Sequence, residues 1–251
     1  MQALKKLDQF AKKVAPTPLP DSIKENDSNN VVRNLSSKNV WDFENAFYWF
    51  SHPTRLNKLL AQYELYKSVS GLPGDIFELG VYKATSLIRL ATFRNVLEND
   101  FSRKIVGFDA FGKFPTDNLT LKADLNFIDS FEMTGGDGLS KREVEKILSA
   151  KGFQNVFLNE GNIFDTLPEY LNRFPATRIA LLHLDMDVKE PTEYALECLY
   201  DKVVPNGLIV FDDYNSVAGE SEAVDGFLAK KRLKIEKTNH YSVPSFVRKP
   251  V

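Results

Sequence analysis

The feature that most constrains the fold is an alternation of short apolar runs with amphipathic segments, beginning near residue 75. The amphipathic segments show helical spacing, and the apolar runs have the length of strands: DIFELGVY, KIVGFDAF, NVFLNEG, RIALLHLDMD and GLIVFDDY. Strands that are separated by helices form right-handed crossovers and therefore a mostly parallel sheet. Two final runs, LKIEKTN and SFVRK, lie a few residues apart and predict an antiparallel hairpin at the sheet edge. The sequence thus predicts one α/β domain with a doubly wound, mostly parallel sheet.

The residues before this alternation predict a helical N-terminal extension. We assign residues 1–39 to a helix and a linker, because apolar side chains follow helical spacing up to Val14 and the stretch APTPLPDSIKENDSNN is proline-rich and then polar. The α/β domain extends over 40–251 and begins with a helical cap, residues 40–70. The aromatic segment VWDFENAFYWF opens this cap, and we expect it to support assembly into a homo-oligomer. Residues 112–139 predict an irregular, lid-like loop.

The composition excludes several classes of function. The chain has 251 residues, and its 32 Lys and Arg against 34 Asp and Glu argue against a nucleic-acid partner. The single cysteine, Cys198, cannot form an intramolecular disulfide, which favours a reducing cytoplasm. No stretch approaches the roughly 20 apolar residues that a membrane span requires. We therefore expect a cytoplasmic protein with no nucleic-acid partner and no membrane span.

Each predicted parallel strand ends in acidic or glycine residues. One such residue is more often a helix cap or a solvated turn. Ligands bind beyond the carboxyl ends of the strands in an open parallel sheet, so five successive ends of this kind indicate a binding site. The residues are Glu78, Gly80, Asp109, Glu160, Gly161, Asn162, Asp185, Asp187, Asp212 and Asp213.

The first turn, ELGVYKATS, indicates which ligand binds there. It has one glycine, Gly80, where a dinucleotide-binding turn would have three, and Glu78 lies just ahead of it. An acidic residue beside the ligand suits a cation better than a diphosphate. S-adenosylmethionine carries an ammonium and a sulfonium group and therefore fits. Asp109, at the end of the second strand, lies where a carboxylate accepts hydrogen bonds from ribose hydroxyls.

Four aspartates at two neighbouring strand ends predict a metal site. Asp185 and Asp187 share one face of their strand, and Asp212 and Asp213 follow the next strand. Four clustered carboxylates cannot all remain ionised unless a positive charge compensates them. No histidine or cysteine cluster accompanies them in the sequence, and oxygen ligands suit Mg²⁺, Mn²⁺ or Ca²⁺ better than zinc. A spare aspartate could then act as a general base.

The segment LHLDMDVKEPTEYALECLYDKVVPNGLIVFDDYN resembles the metal-binding core of the macrocin and mycinamicin O-methyltransferase family. The resemblance extends from His52 to Arg248 and includes PGDIFELGVYKATS, IVGFDAFGKFP, EGNIFDTLP and EAVDGF in the family's order. It implies a Rossmann-like class I enzyme that uses S-adenosylmethionine and Mg²⁺ to methylate a sugar hydroxyl. The sugar could belong to a deoxysugar glycoside, a nucleotide sugar or a polysaccharide precursor.

The resemblance also implies residue roles. Asp185, Asp212 and Asp213 would bind the metal, and Asp187 would be the catalytic base. Thr54 and Arg55 would close over the cofactor from the helical cap. The residues implied to line the cofactor pocket are Glu78, Gly80, Ser86, Asp109, Gly161, Asn162 and Ile163.

The sequence departs from the family pattern at several positions. Ala84 replaces a common glycine, Lys189 a usual aromatic residue and Pro191 a usual serine, and a cysteine-bearing turn is replaced by GESEAVDGF. Lys189 and this turn flank the expected acceptor pocket, so they bear on the identity of the substrate rather than on the chemistry.

Two other functions fit part of the pattern. A metal-dependent glycosyltransferase would use Asp185 and Asp187 to hold the diphosphate of a nucleotide sugar, but it leaves the ELGVYKATS turn without a role. A non-catalytic binding domain of the same fold is the second alternative. His183, within the fourth strand, is interpreted as a hydrogen-bonded core histidine and not as a metal ligand.

Overall fold

The computed structural model describes residues 32, 33, 35 and 40–251, so the predicted N-terminal helix and nearly all of the linker lie outside the described residues. Within the described part of the chain, no helix is both long enough and apolar enough to cross a membrane.

Seven strands form one sheet in the order β3-β2-β1-β4-β5-β7-β6. Strands β1 to β5 are parallel, whereas β7 is antiparallel to β5 and β6 is antiparallel to β7. The predicted mostly parallel sheet with an antiparallel edge hairpin is confirmed. The strands are β1 Asp75–Leu79, β2 Ile105–Asp109, β3 Val156–Glu160, β4 Ile179–Leu184, β5 Val203–Phe211, β6 Glu236–Lys237 and β7 Ser245–Arg248.

Six of the described helices cover the two faces of this sheet. α2, α3 and α5 pack on the face to which Ile76 and Leu181 point, and α6, α7 and α8 pack on the face to which Phe77 and Leu182 point. Strand side chains alternate between faces, so β1 and β4 contribute to both cores. The helices are α1 Val40–Phe50, α2 Thr54–Val69, α3 Thr85–Leu97, α4 Lys122–Gly135, α5 Lys141–Ala150, α6 Ile163–Arg173, α7 Lys189–Leu199 and α8 Ala218–Lys231.

The strand order places the site. From β1, the chain adds β2 and β3 on one side of the sheet and then β4 and β5 on the other. The connections therefore reverse direction between β1 and β4, and a crevice opens there beyond the carboxyl ends of the strands.

The predicted irregular loop over 112–139 is wrong in its central part, which is the helix α4. Its buried residues are Asp124 and Ile128, one turn apart, and Phe127 and Phe131 are half-buried on the same side. A helix that buries so narrow a stripe has a weak periodic signal in the sequence, and the glycines that follow it obscured that signal.

The aromatic segment is helical, as predicted, but α1 buries none of its residues. Trp49 is 69% exposed and Phe50 is 82% exposed. Self-association through this helix stays a prediction.

Candidate active site

A cleft of about 570 Å³ opens at the carboxyl ends of β1 to β5. The helices α2 and α3 and the 112–138 segment supply further walls, including the side chains of Arg55, Arg89 and Phe131. The cleft therefore lies where the strand order requires it. The sequence-predicted residues that line it are Gly80, Ser86, Asp109, Gly161, Asn162, Ile163, Asp185, Asp187, Asp212 and Asp213.

Gly80 allows the first turn to touch the end of β4. Its φ is +94°, and a Cβ built on it would lie 1.7 Å from the carbonyl oxygen of Asp185. The Gly80 amide donates to the carbonyl of Phe108, and the Asp185 amide donates to that of Leu79. No other residue fits this position, because any side chain would separate the turn from β4.

Asp109 shapes the same turn in addition to lining the cleft. Its Oδ2 accepts hydrogen bonds from the amides of Val81 at 2.7 Å and Tyr82 at 2.9 Å, and its Oδ1 accepts from the amide of Phe111. These backbone contacts were not evident from the sequence, which indicated only a contact with ribose.

Ala84 precedes α3 with a φ of +57°, in the left-handed region that favours glycine. This geometry explains why glycine is common here in the family that the sequence resembles. A buried alanine adopts the conformation at a cost of about 1 kcal/mol.

At the end of β3, Gly161 has a φ of +132° and donates its amide to the carbonyl of Asp109. The Asn162 side chain caps α6 by accepting from the amide of Phe164 at 3.1 Å. Ile163 is nearly buried and contributes an apolar surface to the cleft.

Two residues that the resemblance implied in the cofactor pocket do not line the cleft. Glu78 is fully buried beneath it, with Oε1 3.3 Å from His183 Nδ1, and burial raises the pKa of its carboxyl group. The Thr54 hydroxyl lies 3.0 Å from Nδ1 of His52, whereas Arg55, its neighbour in α2, does line the cleft.

The four aspartates converge, as predicted, but in two overlapping groups. Oxygens of Asp185, Asp187 and Asp213 lie within 4.8 Å of one another, and so do ligand atoms of His183, Asp185 and Asp212. Asp185 belongs to both groups and thus links the ends of β4 and β5.

The two groups differ in charge balance. Burial raises the pKa of Asp185, and the charge of Asp212 raises it further; burial and the charge of Asp213 do the same for Asp187. Burial also opposes ionisation of Asp212, yet hydrogen bonds and charges from His183 and Lys58 lower its pKa to about 2. The negative charge of the group formed by Asp185, Asp187 and Asp213 is therefore less well compensated than that of the group with His183 and Asp212.

Asp187 also adopts an uncommon backbone conformation, with a φ of +65°. Left-handed residues other than glycine cluster at functional sites, where the surrounding structure maintains the strain.

Burial disfavours the charged form of His183, but hydrogen bonds with Asp212 and Glu78 raise its pKa well above the usual value. Its Nε2 lies 3.2 Å from Asp212 Oδ1. The interpretation of His183 as a hydrogen-bonded core histidine is confirmed. The sequence indicated no histidine or cysteine cluster beside the aspartates, but the structure places a single histidine in one acidic group, with a ligand atom of His183 within 4.8 Å of those of Asp185 and Asp212.

Sequence reasoning missed two charged residues that contact the aspartates. Lys58 on α2 forms an ion pair with Asp212, with Nζ 2.5 Å from Oδ2. Glu220 in α8 is fully buried, and its Oε1 accepts from the amide of Asp213 at 3.0 Å. Lys58 comes one helical turn after Arg55, and this spacing could have indicated that it faces the same site. No local sequence pattern indicated a role for Glu220.

A cluster of aromatic side chains also lines the cleft. Phe114 and Phe127 pack against Phe131 of α4, and the Tyr82 ring lies 5.0 Å from the Phe131 ring. The Tyr82 hydroxyl donates to the carbonyl of Gly135 at 2.6 Å, which connects the first turn to the end of α4.

A family model described as macrocin-O-methyltransferase (TylF) matches residues 24–249. The chain belongs to the macrocin-O-methyltransferase family. This confirms the resemblance identified from the sequence motifs.

A curated relative is also a sugar O-methyltransferase. The 8-demethyl-8-(2,3-dimethoxy-alpha-L-rhamnosyl)-tetracenomycin-C 4'-O-methyltransferase of Streptomyces olivaceus is 31% identical over 152 residues, which are 57% of this chain and 54% of the relative. The chain thus spans about half the length of that curated relative.

Two solved structures share the fold of this family member. The calicheamicin methyltransferase CalS11 is 23% identical, with a TM-score of 0.64 over 92% of this chain and 94% of that chain. The O-methyltransferase NovP is 23% identical, with a TM-score of 0.68 over 78% of this chain and 81% of that chain.

Proposed function

We propose that this protein is an S-adenosylmethionine-dependent and divalent-metal-dependent O-methyltransferase that acts on a sugar hydroxyl. The observation that supports it best is the convergence of Asp185, Asp187 and Asp213 in the same cleft as the Gly80 turn, in a chain of the macrocin-O-methyltransferase family. The named activity of the Streptomyces relative, an O-methyltransferase of a rhamnosyl compound, supports a sugar acceptor.

The cofactor would bind along the ends of β1 to β3. Gly80 and Ser86 would face its methionine part, Asp109 its ribose, and Gly161, Asn162 and Ile163 its adenine. Glu78 lies beneath the cleft and would not contact the cofactor; its carboxyl group would contribute negative charge to the floor of the cleft. Arg55 and Arg89 also line the cleft and would attract the carboxylate, which is the anionic group of the cofactor.

The donor set fits a divalent metal ion. The three carboxylate oxygens within 4.8 Å of one another are the hard ligands that Mg²⁺ prefers. The carboxylates repel one another, and a bound cation would relieve that repulsion. Asp185 and Asp213 belong to this group and would hold the ion. Asp212, which lies with Asp185 in the second group, would be the third ligand, as the family resemblance implies, and Asp187 would remain available as a base. When bound, it would supply positive charge that makes a neighbouring hydroxyl more acidic.

Asp187 would be the general base. Its carboxylate would take the proton of the acceptor hydroxyl as the hydroxyl oxygen attacks the methyl carbon and the carbon–sulfur bond breaks. A raised pKa suits this role, because a more basic carboxylate accepts a proton more readily. α4 and the segment before it would shield the reaction from water.

The acceptor side favours a ligand with an apolar face. Phe114, Phe127 and Phe131 offer ring surfaces on which the apolar side of a sugar or an attached aglycone could stack. A deoxysugar glycoside, a nucleotide sugar and a polysaccharide precursor are the three acceptor classes to test. A cytoplasmic location and homo-oligomeric assembly stay predictions.

The experiment compares the wild-type protein with Asp187→Asn. Asparagine tolerates a left-handed φ and keeps the shape of the side chain, so the variant should fold and bind cofactor. We expect transfer of labelled methyl groups to sugar acceptors to fall by about 10²- to 10⁴-fold, the usual contribution of a general base.

Asp225→Asn is the matched control, because this aspartate lies on α8 and contacts the Tyr214 hydroxyl outside the cleft. Its activity should equal that of the wild type. Near-normal turnover in Asp187→Asn would contradict the role of Asp187. Binding of a nucleotide sugar without methyl transfer would favour the glycosyltransferase, and no metal-stimulated turnover with any acceptor would favour a binding domain.

A further inference from the structure

The acidic floor of the cleft has a cation that comes from outside the sheet. Lys58 lies on α2, one turn after Arg55, and its side chain is 28% exposed. Its Nζ lies 2.5 Å from Oδ2 of Asp212, whose side chain is only 2% exposed. A helix of the cap therefore places a positive charge directly on one of the proposed metal ligands.

Lys58 is the outer member of a hydrogen-bonded chain that crosses three neighbouring strands. Asp212 Oδ1 lies 3.2 Å from His183 Nε2, and His183 Nδ1 lies 3.3 Å from Glu78 Oε1. Glu78 and His183 are direct partners in the β1–β4 register. Both oxygens of Asp212 are therefore engaged, one by the sheet and the other by the cap.

We propose that Lys58 is a positioning residue that shares Asp212 with the divalent ion. It stabilises the acidic cluster before the ion binds, and it lowers the affinity for the ion. The reason is electrostatic: an ammonium group beside a carboxylate compensates its charge, but it repels a metal ion that uses the same carboxylate. The proposal rests on the proposed function, because the ion is the one assigned there.

Lys58 would stabilise the metal-free protein but weaken binding of the ion, and this combination distinguishes its role from that of an ordinary packing contact. Loss of a packing contact would destabilise the fold and disorder Asp212, so metal binding would weaken. Loss of a competing positive charge would also destabilise the metal-free protein, but metal binding would strengthen. The affinity for the ion therefore decides between them.

The experiment uses the full chain with Lys58→Met, which keeps the length of the side chain and removes its charge. Lys58→Arg retains the charge, and Lys67→Met is the matched control, since Lys67 is an exposed lysine in the last turn of the same helix. Melting is followed in a chelator and in excess Mg²⁺, and Mg²⁺ affinity is measured by calorimetry without cofactor or acceptor.

We expect Lys58→Met to melt at a lower temperature than the wild type in chelator. Excess Mg²⁺ should raise its melting temperature by more than that of the wild type, and it should bind Mg²⁺ about tenfold more tightly. Lys58→Arg should resemble the wild type, and Lys67→Met should match it in every measurement. If the wild type binds Mg²⁺ and Lys58→Met binds it with equal or weaker affinity, this proposal is overturned but the proposed function is not. Absence of Mg²⁺ binding in the wild type would contradict the metal site in the proposed function, and this proposal with it.

Discussion

Charged side chains are buried at both ends of the parallel strands, but the chain compensates them differently at the two ends. At the amino ends, Arg94 is fully buried, and its terminal nitrogens donate to Asp100 and to the carbonyls of Arg103, Gln154 and Asn155. Arg103 forms an ion pair with Glu98 and donates to the carbonyls of Ser70, Leu72 and Gly74.

At the carboxyl ends, buried carboxyl groups outnumber the cations that contact them. Glu78 Oε2 and Glu220 Oε2 are buried without a hydrogen-bond partner among the described residues. At the amino ends the same holds for Arg94 Nε, although both terminal nitrogens of Arg94 have partners. Asp187 is strained, and the pKa values of Asp185 and Asp187 are raised.

A structural use of buried charge can thus be distinguished from a functional one. Where the chain supplies its own partners, a buried charge fixes loops to the sheet and contributes to stability. Where it does not, the remaining charge marks a place for a ligand, at a cost in stability.

Arg94→Met tests the structural end and should have the largest effect on stability. It leaves Asp100 without its partner and several carbonyls without donors, so the free energy of unfolding should fall by about 3–5 kcal/mol. Urea unfolding measures this loss. Arg142→Met, at an exposed position of α5, should change little. A loss below about 1 kcal/mol would remove the contrast between the two ends.

Asp185→Asn tests the functional end and should have the opposite sign. It removes a negative charge from both acidic groups, so in chelator the variant should be more stable than the wild type by about 1–3 kcal/mol. Mg²⁺ should then stabilise the wild type but not the variant. A variant that unfolds more easily in chelator would show that the carboxylate is compensated after all.

The pH dependence of stability tests the acidic end of the strands a second time. The folded-state pKa values of Asp185 and Asp187 lie above the usual 3.8, and that of His183 lies above 6.5, so the folded state binds more protons than the unfolded state. In chelator, stability should therefore fall as pH rises above the usual aspartate pKa of 3.8, and it should fall further as pH rises above the usual histidine pKa of 6.5. Mg²⁺ should flatten this profile, because the ion replaces the bound protons. Melting temperatures across the range measure both, and a rising profile in chelator would contradict the assignment.

Tyr82→Phe should have the smallest effect. It removes the hydroxyl that donates to Gly135 and Gly136 but keeps the ring against Phe131. Loss of about 0.5–1.5 kcal/mol at the end of α4 should raise KM for the acceptor by about twofold to tenfold, with little change in melting temperature. Hydrogen exchange over 122–139 should increase in parallel. Unchanged KM and exchange would show that this contact does not hold α4 at the cleft.

Most of the fold was predictable because strand and helix periodicities are local. All five parallel strands and the edge hairpin lie where the apolar runs indicated. As expected, Asp109 is the last residue of its strand, and Gly80, Asp185 and Asp212 come directly after theirs. The helix α4 was missed because it buries so few residues that its pattern is faint.

Which end of the sheet carries the site followed from the sequence alone, because the carboxyl ends of parallel strands lie on one side whatever the details of packing. It also determined the family, through the order and spacing of its motifs. The pairing of the charges, by contrast, depends on tertiary packing. Lys58 is separated from Asp212 by 154 positions, and Glu78 is separated from its neighbour His183 on the adjacent strand by 105, so no local pattern could report either contact. Coulomb interactions depend on distance in space and on burial, and the packing of the cap and the sheet sets both.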